Sequence, residues 1–264
     1  MSLDFTNINL KVLIMDTDFY ALQALNGYLA WDRRTRVTNL SESPVEMWDY
    51  INITPLAELP NVVLLDTDHW LGNEHDLADN IFSLRERIED VRVICLGQVV
   101  QPELVKAAAE SGAAGFLLKN NVRLQIAWAI VYAIHYDFIV TADVARACEG
   151  LFHPRIFRAR RLPEHRDYPE LTTRIRQAIR LAVVEGMPAH LAADEMGISL
   201  HTIRGYIKEG YRIMEAYDEN EYPVDMTPQE KAFMRFTAFA AEGDGDKDET
   251  PGPETNEEGA DKSN

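Results

Sequence analysis

Four apolar runs of similar length constrain this chain more than any other feature of its sequence. They end at Asp16, Asp66, Gly97 and Lys119. Short, continuous apolar runs bounded by turn signals are typical of strands that are buried on both faces of a parallel sheet. In an open sheet of that kind, the carboxyl ends of neighbouring strands converge on one crevice. The sequence therefore predicts a pocket in which two carboxylates and one ammonium group meet.

The first part of the chain, residues 8–140, alternates predicted strands with predicted helices. The five strands are expected at Lys11–Met15, Arg36–Asn39, Val62–Leu65, Val91–Leu96 and Gly115–Leu118. The five helices are expected at Phe19–Tyr28, Pro44–Asn52, Leu77–Ile88, Pro102–Ser111 and Val122–Tyr136. This alternation indicates βαβ units, and hence an α/β domain with a five-stranded parallel sheet covered on both faces.

The pattern changes after this domain. Residues 141–169 are predicted to form a helical and basic linker, because five arginines stand among prolines there. From 170 to 241 the pattern is helical only, with helices expected at Leu171–Glu185, Pro188–Met196, Leu200–Tyr217 and Thr227–Ala241. The turn Gly197-Ile198-Ser199 joins the second and third of these helices, and Ser199 is a good N-cap. A short helix, a tight turn and a second helix match the helix-turn-helix signature.

Composition limits the classes of protein that fit. The net charge is −17, and residues 242–264 contribute nine acids and two lysines without any aromatic residue. Such a segment buries too little apolar surface to offset the entropy cost of ordering, so we expect an acidic disordered tail. The two cysteines, Cys95 and Cys148, are too few for a disulfide framework and are expected to be buried thiols. Without a signal-like or membrane-spanning stretch, we expect a cytoplasmic protein that does not contact a membrane.

Residues 8–125 resemble the receiver domain of bacterial two-component response regulators. An acid follows strand one, Asp66 follows strand three, a small residue follows strand four, and Gly115-Phe116-Leu117-Leu118-Lys119 forms strand five. The helical part resembles the LuxR/NarL-type helix-turn-helix, from Glu185-Gly186 to Thr202-Ile203-Arg204. The resemblance implies a flavodoxin-like sheet followed by an all-α DNA-binding domain.

The resemblance also implies roles for individual residues. Asp66 stands at the phosphoacceptor position, Lys119 at the position of the lysine that pairs with the phosphoryl oxygens, and Phe116 at that of the aromatic switch residue. Mg²⁺ is the only cofactor implied, with Asp16 and Asp66 as its ligands, since phosphoryl transfer needs a cation that bridges the oxygens. Apart from autophosphorylation at Asp66, no motif of an enzyme active site is present, so we expect no enzyme.

Two departures from the receiver pattern predict an atypical, degenerate domain. The chain has Asp16-Thr17-Asp18 where the family has two consecutive acids, so a neutral hydroxyl replaces a metal-binding carboxylate. Asp18, the next residue along, is expected to point elsewhere. Gly97 replaces the serine or threonine whose hydroxyl follows the phosphoryl group. The sequence therefore favours an ion pair between Asp66 and Lys119 over a working phosphorylation site.

The second helix of a helix-turn-helix enters the major groove of DNA. On Leu200–Tyr217 the polar side chains expected to reach bases or phosphates are His201, Thr202, Arg204 and Lys208. Residues 167–221 carry six basic and ten acidic side chains, which is a weak basic footprint for a DNA binder.

These observations predict a dimeric transcriptional regulator that binds double-stranded DNA and is controlled mainly by something other than aspartyl phosphorylation. Two alternatives stay open: a conventional kinase-driven response regulator phosphorylated on Asp66, and a protein–protein adaptor without DNA binding. The partner is correspondingly a sensor kinase or another regulatory protein. Two surfaces are candidates for the dimer interface: the face around Phe116 and Val122–Tyr136, and the helix Thr227–Ala241, whose aromatic side chains more often pack on their own domain.

Overall fold

The computed structural model describes residues 9–30, 32, 34–163, 168–218, 222 and 226–237. Its centre is a parallel β-sheet with the strand order β2-β1-β3-β4-β5-β6-β7. The strands are β1 Leu10–Met15, β2 Thr35–Ser41, β3 Val62–Asp66, β4 Arg92–Gly97, β5 Gly115–Leu118, β6 Ile139–Val140 and β7 Arg160–Arg161. The chain is thus an α/β domain with a doubly covered parallel sheet, followed by a helical domain, as the alternating pattern predicts.

In the described residues the sheet has seven strands, two more than the five that the sequence predicts. The first five lie where the sequence predicts them, and β6 and β7 add two residues each beyond β5. A two-residue strand is too short to leave a periodic signal in the sequence. Strand β6 nevertheless pairs the outer edge of β5, whose N–H and C=O groups would otherwise lack partners in the sheet, and β7 pairs β6 in turn.

Helices cover both faces of the sheet. They are α1 Phe19–Ala30, α2 Pro44–Ile53, α3 Glu74–Arg87, α4 Pro102–Glu110, α5 Lys119–Val122, α6 Ile126–His135, α7 Ala142–Ala147 and α8 Pro154–Phe157. Alternate residues of each strand face opposite cores. On β1, for example, Leu13 and Met15 face the core under α2–α4, whereas Val12 and Ile14 face the core under α1 and α6.

The predicted helix Val122–Tyr136 is broken near its start. Arg123 has a φ of +36°, and a 3₁₀ turn, Arg123–Gln125, separates α5 from α6. Eight consecutive residues of α6, from Ile126 to Ala133, are buried. A helix that is apolar all round is covered on all sides. The sheet lies on one side of α6, and the helical domain lies on the other.

The range 141–169, interpreted above as a linker, contains α7, α8 and β7 in its described residues. Val144 and Cys148 are buried in the core under α2–α4, and Ile156 packs against the same core. Leu162, beyond β7, lies in the core on the other face of the sheet. The domain boundaries themselves stay a prediction.

The helical domain consists of α9 Thr173–Ile179, a π-helical segment Arg180–Val184, α10 Ala189–Glu195, α11 Leu200–Ala216 and α12 Pro228–Thr237. Ser199 caps α11, because its Oγ accepts a hydrogen bond from the N–H of Thr202 at 3.1 Å. Gly210 lets α11 approach α9 closely, since an added Cβ would lie 2.6 Å from Cγ1 of Ile179. The predicted tail, 242–264, and the end of the last predicted helix, 238–241, lie outside the described residues.

Helix α12 packs against both domains. Ala232 is buried with the helices of its own domain, and Met234 is buried with α1 and α6. Phe233 contacts both clusters, and its ring lies 6.2 Å from that of Trp128 on α6. The side chain of Gln125 donates a 2.8 Å hydrogen bond to the carbonyl oxygen of Met234. One face of this helix, predicted above as a dimer surface, therefore joins the two domains within one chain.

Candidate functional sites

The carboxyl ends of β1, β3 and β5 bring Asp16, Asp66 and Lys119 together. The Nζ atom of Lys119 donates hydrogen bonds to Oδ1 of Asp66 at 2.7 Å and to Oδ1 of Asp16 at 3.1 Å. Both carboxylates are 1% exposed, and the lysine side chain is 13% exposed. The two acids and the base that the sequence predicts in one pocket are in direct contact there.

A third carboxylate, Asp68, was missed in the sequence analysis. It lies in a 3₁₀ turn, Asp68–Trp70, directly after β3, and its Oδ2 is 3.3 Å from Nζ of Lys119. Its carboxylate also accepts a 3.0 Å hydrogen bond from the N–H of Gln98, after β4. The only available signal was its position two residues after Asp66. We call Asp16, Asp66 and Asp68 the carboxylate cluster.

Both carboxylate oxygens of Asp66 accept hydrogen bonds from the protein itself. Oδ2 accepts from the hydroxyl of Thr17 at 2.8 Å, and the N–H of the same residue lies 3.4 Å away. Oδ1 accepts from Lys119 and from the backbone N–H of Asp68, the latter at 3.2 Å. A phosphodonor that approaches Asp66 would have to displace at least one of these donors.

The pKa values of the three acids around this one lysine do not shift in the same direction. Burial disfavours ionisation of Asp66, but the hydrogen bond and charge of Lys119, with the bond from Thr17, lower the pKa of that carboxyl. Burial, together with the negative charge of Asp66, raises the pKa of Asp16. Burial likewise raises the pKa of Asp68. Burial on its own would lower the pKa of Lys119, but the hydrogen bonds and charges of Asp66 and Asp16 outweigh it and raise that pKa.

The implied Mg²⁺ does not fit these residues as they are arranged. Within the described ranges, no group of three or more His, Cys, Asp or Glu side chains has the arrangement of a metal site. The ammonium of Lys119 lies within 3.3 Å of all three carboxylates and is the cation that they share. Asp18 points away, because its Oδ1 accepts hydrogen bonds from the N–H groups of Tyr20 and Ala21 at the start of α1.

Gly97 lies at the end of β4, and the space beside it is filled. A Cβ added to Gly97 would be 2.7 Å from Oγ1 of Thr67 and 3.2 Å from the carbonyl oxygen of Val99. The Thr67 hydroxyl donates to the carbonyl oxygen of Leu96 at 3.2 Å. The ring of Phe116 is fully buried next to it. The side chain of Thr67 therefore occupies the volume in which a side chain at position 97 would lie. Nothing in the local sequence pattern predicts that Thr67 fills this space.

The second candidate site is an exposed stripe on α11. It consists of His201, Arg204, Gly205 and Lys208, and we call it the recognition stripe. Arg204 and Gly205 follow His201 by three and four residues and precede Lys208 by four and three, so all of them share one side of the helix. Thr202, predicted to belong to the same set, is partly buried, and its hydroxyl is 2.8 Å from that of the N-cap Ser199.

The rest of α11 packs inward. Ile203, Gly210, Ile213 and Met214 are buried against α9, α10 and α12. The recognition stripe stays open to solvent although the helical domain is docked on the sheet domain. Arg212, further along, is held by Glu209 at 2.6 Å and is less available to a ligand.

Comparison with known proteins points to the same architecture. No protein-family model matches the chain. The chain is 27% identical, over 163 residues, to the "Probable transcriptional regulatory protein NarL" of two Mycobacterium tuberculosis strains. The match covers 61% of this chain and 69% of the relative. By this match the chain is similar to a protein that is named as a transcriptional regulatory protein of NarL type.

Solved structures with some likeness include the RcsB response regulator of Salmonella typhimurium. It is 16% identical with a TM-score of 0.46, and the likeness covers 82% of this chain and 95% of that one. The signal receiver domain of NarL from Mycobacterium tuberculosis is 25% identical with a TM-score of 0.40, covering 47% and 94%. No helix in the described part of this chain has both the length and the apolar character needed to cross a bilayer.

Proposed function

We propose that the protein is a cytoplasmic transcriptional regulator that binds double-stranded DNA through α11 as a homodimer. Its receiver-like domain is degenerate, and its activity is set by a regulatory protein, a small ligand or its own abundance. Aspartyl phosphorylation is not its main control. The observation that carries this proposal is that both oxygens of Asp66 are already engaged.

DNA binding is supported by the exposure and chemistry of the recognition stripe. A guanidinium such as that of Arg204 can donate two hydrogen bonds to one guanine, and the ammonium of Lys208 suits a phosphate. Both side chains are exposed near the N-terminal half of a helix that a capped turn presents. The NarL relative is by its name a transcriptional regulatory protein.

Control without phosphorylation is supported by the chemistry of the carboxylate cluster. A phosphoryl group adds negative charge, which three carboxylates around one ammonium disfavour unless a divalent cation joins them. Lys119 is already the cation that these carboxylates share, and Thr17 supplies a hydroxyl instead of a carboxylate. Gly97 offers no hydroxyl that could follow the phosphoryl group.

Treatment with acetyl phosphate and Mg²⁺, followed by intact-mass measurement, tests the control mechanism. We expect no phosphoryl adduct, and we expect beryllofluoride with Mg²⁺ to leave the DNA affinity unchanged. The Asp66→Asn variant should bind DNA as the unmodified protein does. An adduct that Asp66→Asn abolishes but the exposed Asp79→Asn retains, with a change in DNA affinity, would establish the kinase-driven alternative.

Selection of genomic DNA fragments with the purified full-length chain tests the output. Binding to the selected fragment should weaken steeply as salt increases, because cations on phosphates release counterions. The Lys208→Ala variant should lower the slope of log affinity against log salt by about 1, whereas Arg180→Ala, an exposed change off α11, should not. Absence of any salt-sensitive binding would favour the adaptor alternative.

A further inference from the structure

A cleft at the amino edge of the sheet brings three arginines together. Its volume is about 580 Å³, within the range of roughly 300–1,000 Å³ that is typical of small-molecule sites. It lies where β1, β3 and β4 begin, at the opposite end of the sheet from the carboxylate cluster. The arginines that line it are Arg85 on α3, Arg92 on β4 and Arg155 on α8. We call this site the arginine cleft.

Arg155 has a structural role in the cleft, because all three of its guanidinium nitrogen atoms donate to other groups of the protein. Its Nε and Nη2 atoms donate to the two carboxylate oxygens of Asp137, at 2.8 and 3.0 Å. Nη1 donates to the carbonyl oxygen of Ala109 in α4 at 2.6 Å, and Nη2 also donates to that of Ala113 at 2.8 Å. One base and one acid of the cleft therefore neutralise each other.

Arg92 and Arg85 keep donors that the protein does not use. Nε and Nη2 of Arg92 donate to the carbonyl oxygens of Ala133 and Tyr136 at the end of α6, at 2.7 and 2.6 Å. Nη1 of Arg85 donates to the carbonyl oxygen of Ser111 at 3.2 Å. Within the described part of the chain, no acceptor is hydrogen-bonded to Nη1 of Arg92 or to Nε and Nη2 of Arg85. These acceptors are uncharged, so neither positive charge is neutralised by a hydrogen-bonded acid.

The turn after α4 fixes the position of Arg85. Gly112 lines the cleft and has a φ of +89°. A Cβ atom added to Gly112 would clash with Nη1 of Arg85, so the guanidinium lies directly against the backbone of this turn. The side chain is therefore placed at the wall of the cleft by the same turn whose carbonyl oxygen it contacts.

The three arginines are close enough to act on the same group. The hydrogen bond from Arg155 lowers the pKa of Asp137, and the charges of all three arginines add to that effect. Burial lowers the pKa of Arg92, and the charges of the other two arginines lower it further, against the opposite effect of Asp137 and Asp90. Three bases and two acids line the cleft, a balance of +1 in a protein whose net charge is −17. The cleft is thus a local site of positive charge.

The wall of the cleft also has an apolar part. Its members are Leu10, Val62, Ile88, Val91, Ala114 and Ile134. Apolar walls with a few convergent donors suit a ligand that has an apolar body and one charged group. A phosphate monoester carries a charge of about −1.5 to −2 at pH 7 and three acceptor oxygens, so it can accept from two guanidinium groups at once. A carboxylate has one charge and two oxygens, and it fits two arginines less well.

We propose that the arginine cleft binds a small organic phosphate. Arg85 and Arg92 donate hydrogen bonds to the phosphate oxygens, and the apolar wall covers the organic part of the ligand. The site gives a chemistry to the small ligand that the proposed function includes among its controls. Binding in the cleft depends neither on DNA binding nor on the state of Asp66.

Isothermal titration calorimetry of the full chain without DNA tests the site, with phenyl phosphate as the probe. We expect saturable binding of one molecule per chain with a dissociation constant of about 1 mM or lower. Benzoate has the same ring with a smaller charge and one oxygen fewer, and it should bind at least about tenfold more weakly. Benzoate that binds as tightly as phenyl phosphate, or heat that does not saturate, would overturn the proposal.

A pair of arginines on α3 distinguishes the cleft from general charge attraction. Arg85→Met should raise the dissociation constant for phenyl phosphate at least about tenfold, because it removes a charge-assisted hydrogen bond. Arg85 is exposed, so the circular dichroism spectrum should not change. The matched control is Arg87→Met, on the same turn of α3 but not among the lining residues, and it should leave the affinity unchanged. Equal losses in the two variants would contradict a site in the cleft.

A third variant should strengthen binding, which a loss of folding cannot imitate. Asp90→Asn removes a negative charge from the lining, and Asn tolerates the positive φ of 58° at this position. The dissociation constant for phenyl phosphate should therefore fall, by about 2-fold or more. An unchanged or weaker affinity would show that the charge of the cleft does not control the binding. Loss of DNA binding by a chain that still binds phenyl phosphate would contradict only the proposed function.

Discussion

The carboxylate cluster and the recognition stripe both consist of charged side chains, but they are in opposite states. In the cluster, the chain itself engages the charged groups: one lysine contacts three acids, and both oxygens of Asp66 accept hydrogen bonds. On the stripe, Arg204 and Lys208 project into solvent. The presence of charged residue types that can bind a ligand therefore does not show that a site is open to one. The difference lies in whether the fold already provides the partner.

The largest expected effect tests how completely the cluster depends on its lysine. Lys119→Met should lower the free energy of unfolding by about 3–5 kcal/mol at neutral pH, because it leaves buried carboxylates without a counter-charge. Urea titration measures the loss. Lys106→Met, at an exposed pair with Glu110, should cost no more than about 1 kcal/mol.

The pH dependence of the same variant gives a second test. Without Lys119 the repelling, buried acids have folded-state pKa values above their unfolded values, so the folded state binds protons more tightly. The destabilisation should therefore shrink as the pH falls from neutral through those raised pKa values. A cost that stays constant or grows on acidification would show that Lys119 acts by packing and not by charge.

Filling the space beside Gly97 should have the next largest effect. Gly97→Thr should destabilise the protein by about 1–3 kcal/mol, since its Cβ would meet Oγ1 of Thr67 at 2.7 Å. Thermal unfolding measures this cost. Adding Thr67→Ala should recover part of the loss by removing the contact. If the double variant is as unstable as the sum of the single ones, the two positions do not share one volume.

Substitutions on the recognition stripe should change the affinity for DNA and leave folding unchanged. Arg204→Ala should weaken binding to the selected DNA by about 1–3 kcal/mol, with the loss concentrated at one base position. Fluorescence anisotropy on the selected site and on single-base variants of it measures this. Arg212→Ala on the same helix, whose guanidinium is held by Glu209, should cost less. Equal losses for both arginines would indicate a general charge effect.

The smallest expected effect is at Gly205 of α11, and Gly210 on the same helix supplies the contrast. Gly205 is open, so Gly205→Ala should stabilise the folded state by about 0.5–1 kcal/mol through helix propensity. Gly210→Ala should instead destabilise it by about 1–3 kcal/mol, because the added Cβ meets Ile179. Chemical denaturation of both variants gives the two signs. A stabilised Gly210→Ala would show that α9 and α11 can separate at little cost.

Much of the architecture follows from periodicity and local signals. The apolar runs predict β1, β3, β4 and β5, and the Ser199 cap predicts the start of α11, because strand burial and capping are read from a few neighbouring residues. The strands β6 and β7 could not be found in this way. They are two residues long and form because β6 pairs the edge of β5 and β7 pairs β6, which is a long-range condition.

The carboxylate cluster, like the fold, is predictable from the sequence only in part. Strand ends alone indicate that Asp16, Asp66 and Lys119 meet, since parallel strands carry their carboxyl ends to one edge. The position of Asp68 in the cluster depends on a 3₁₀ turn and on the loop after β4. The filling of the space beside Gly97 by Thr67 depends on the packing of neighbouring strands. Contacts of this kind join residues about 30 positions apart.

The sequence by itself determined the two-domain order, the parallel sheet and the identity of the groups at its carboxyl edge. These follow from local preferences and from the repeat of apolar residues along the chain. Only the tertiary structure decided that Thr17 occupies the second oxygen of Asp66, that α12 joins the domains, and that Phe152 and Phe157 remain uncovered. Each of these features depends on which surfaces pack together in the folded chain. Local sequence patterns do not specify such long-range contacts.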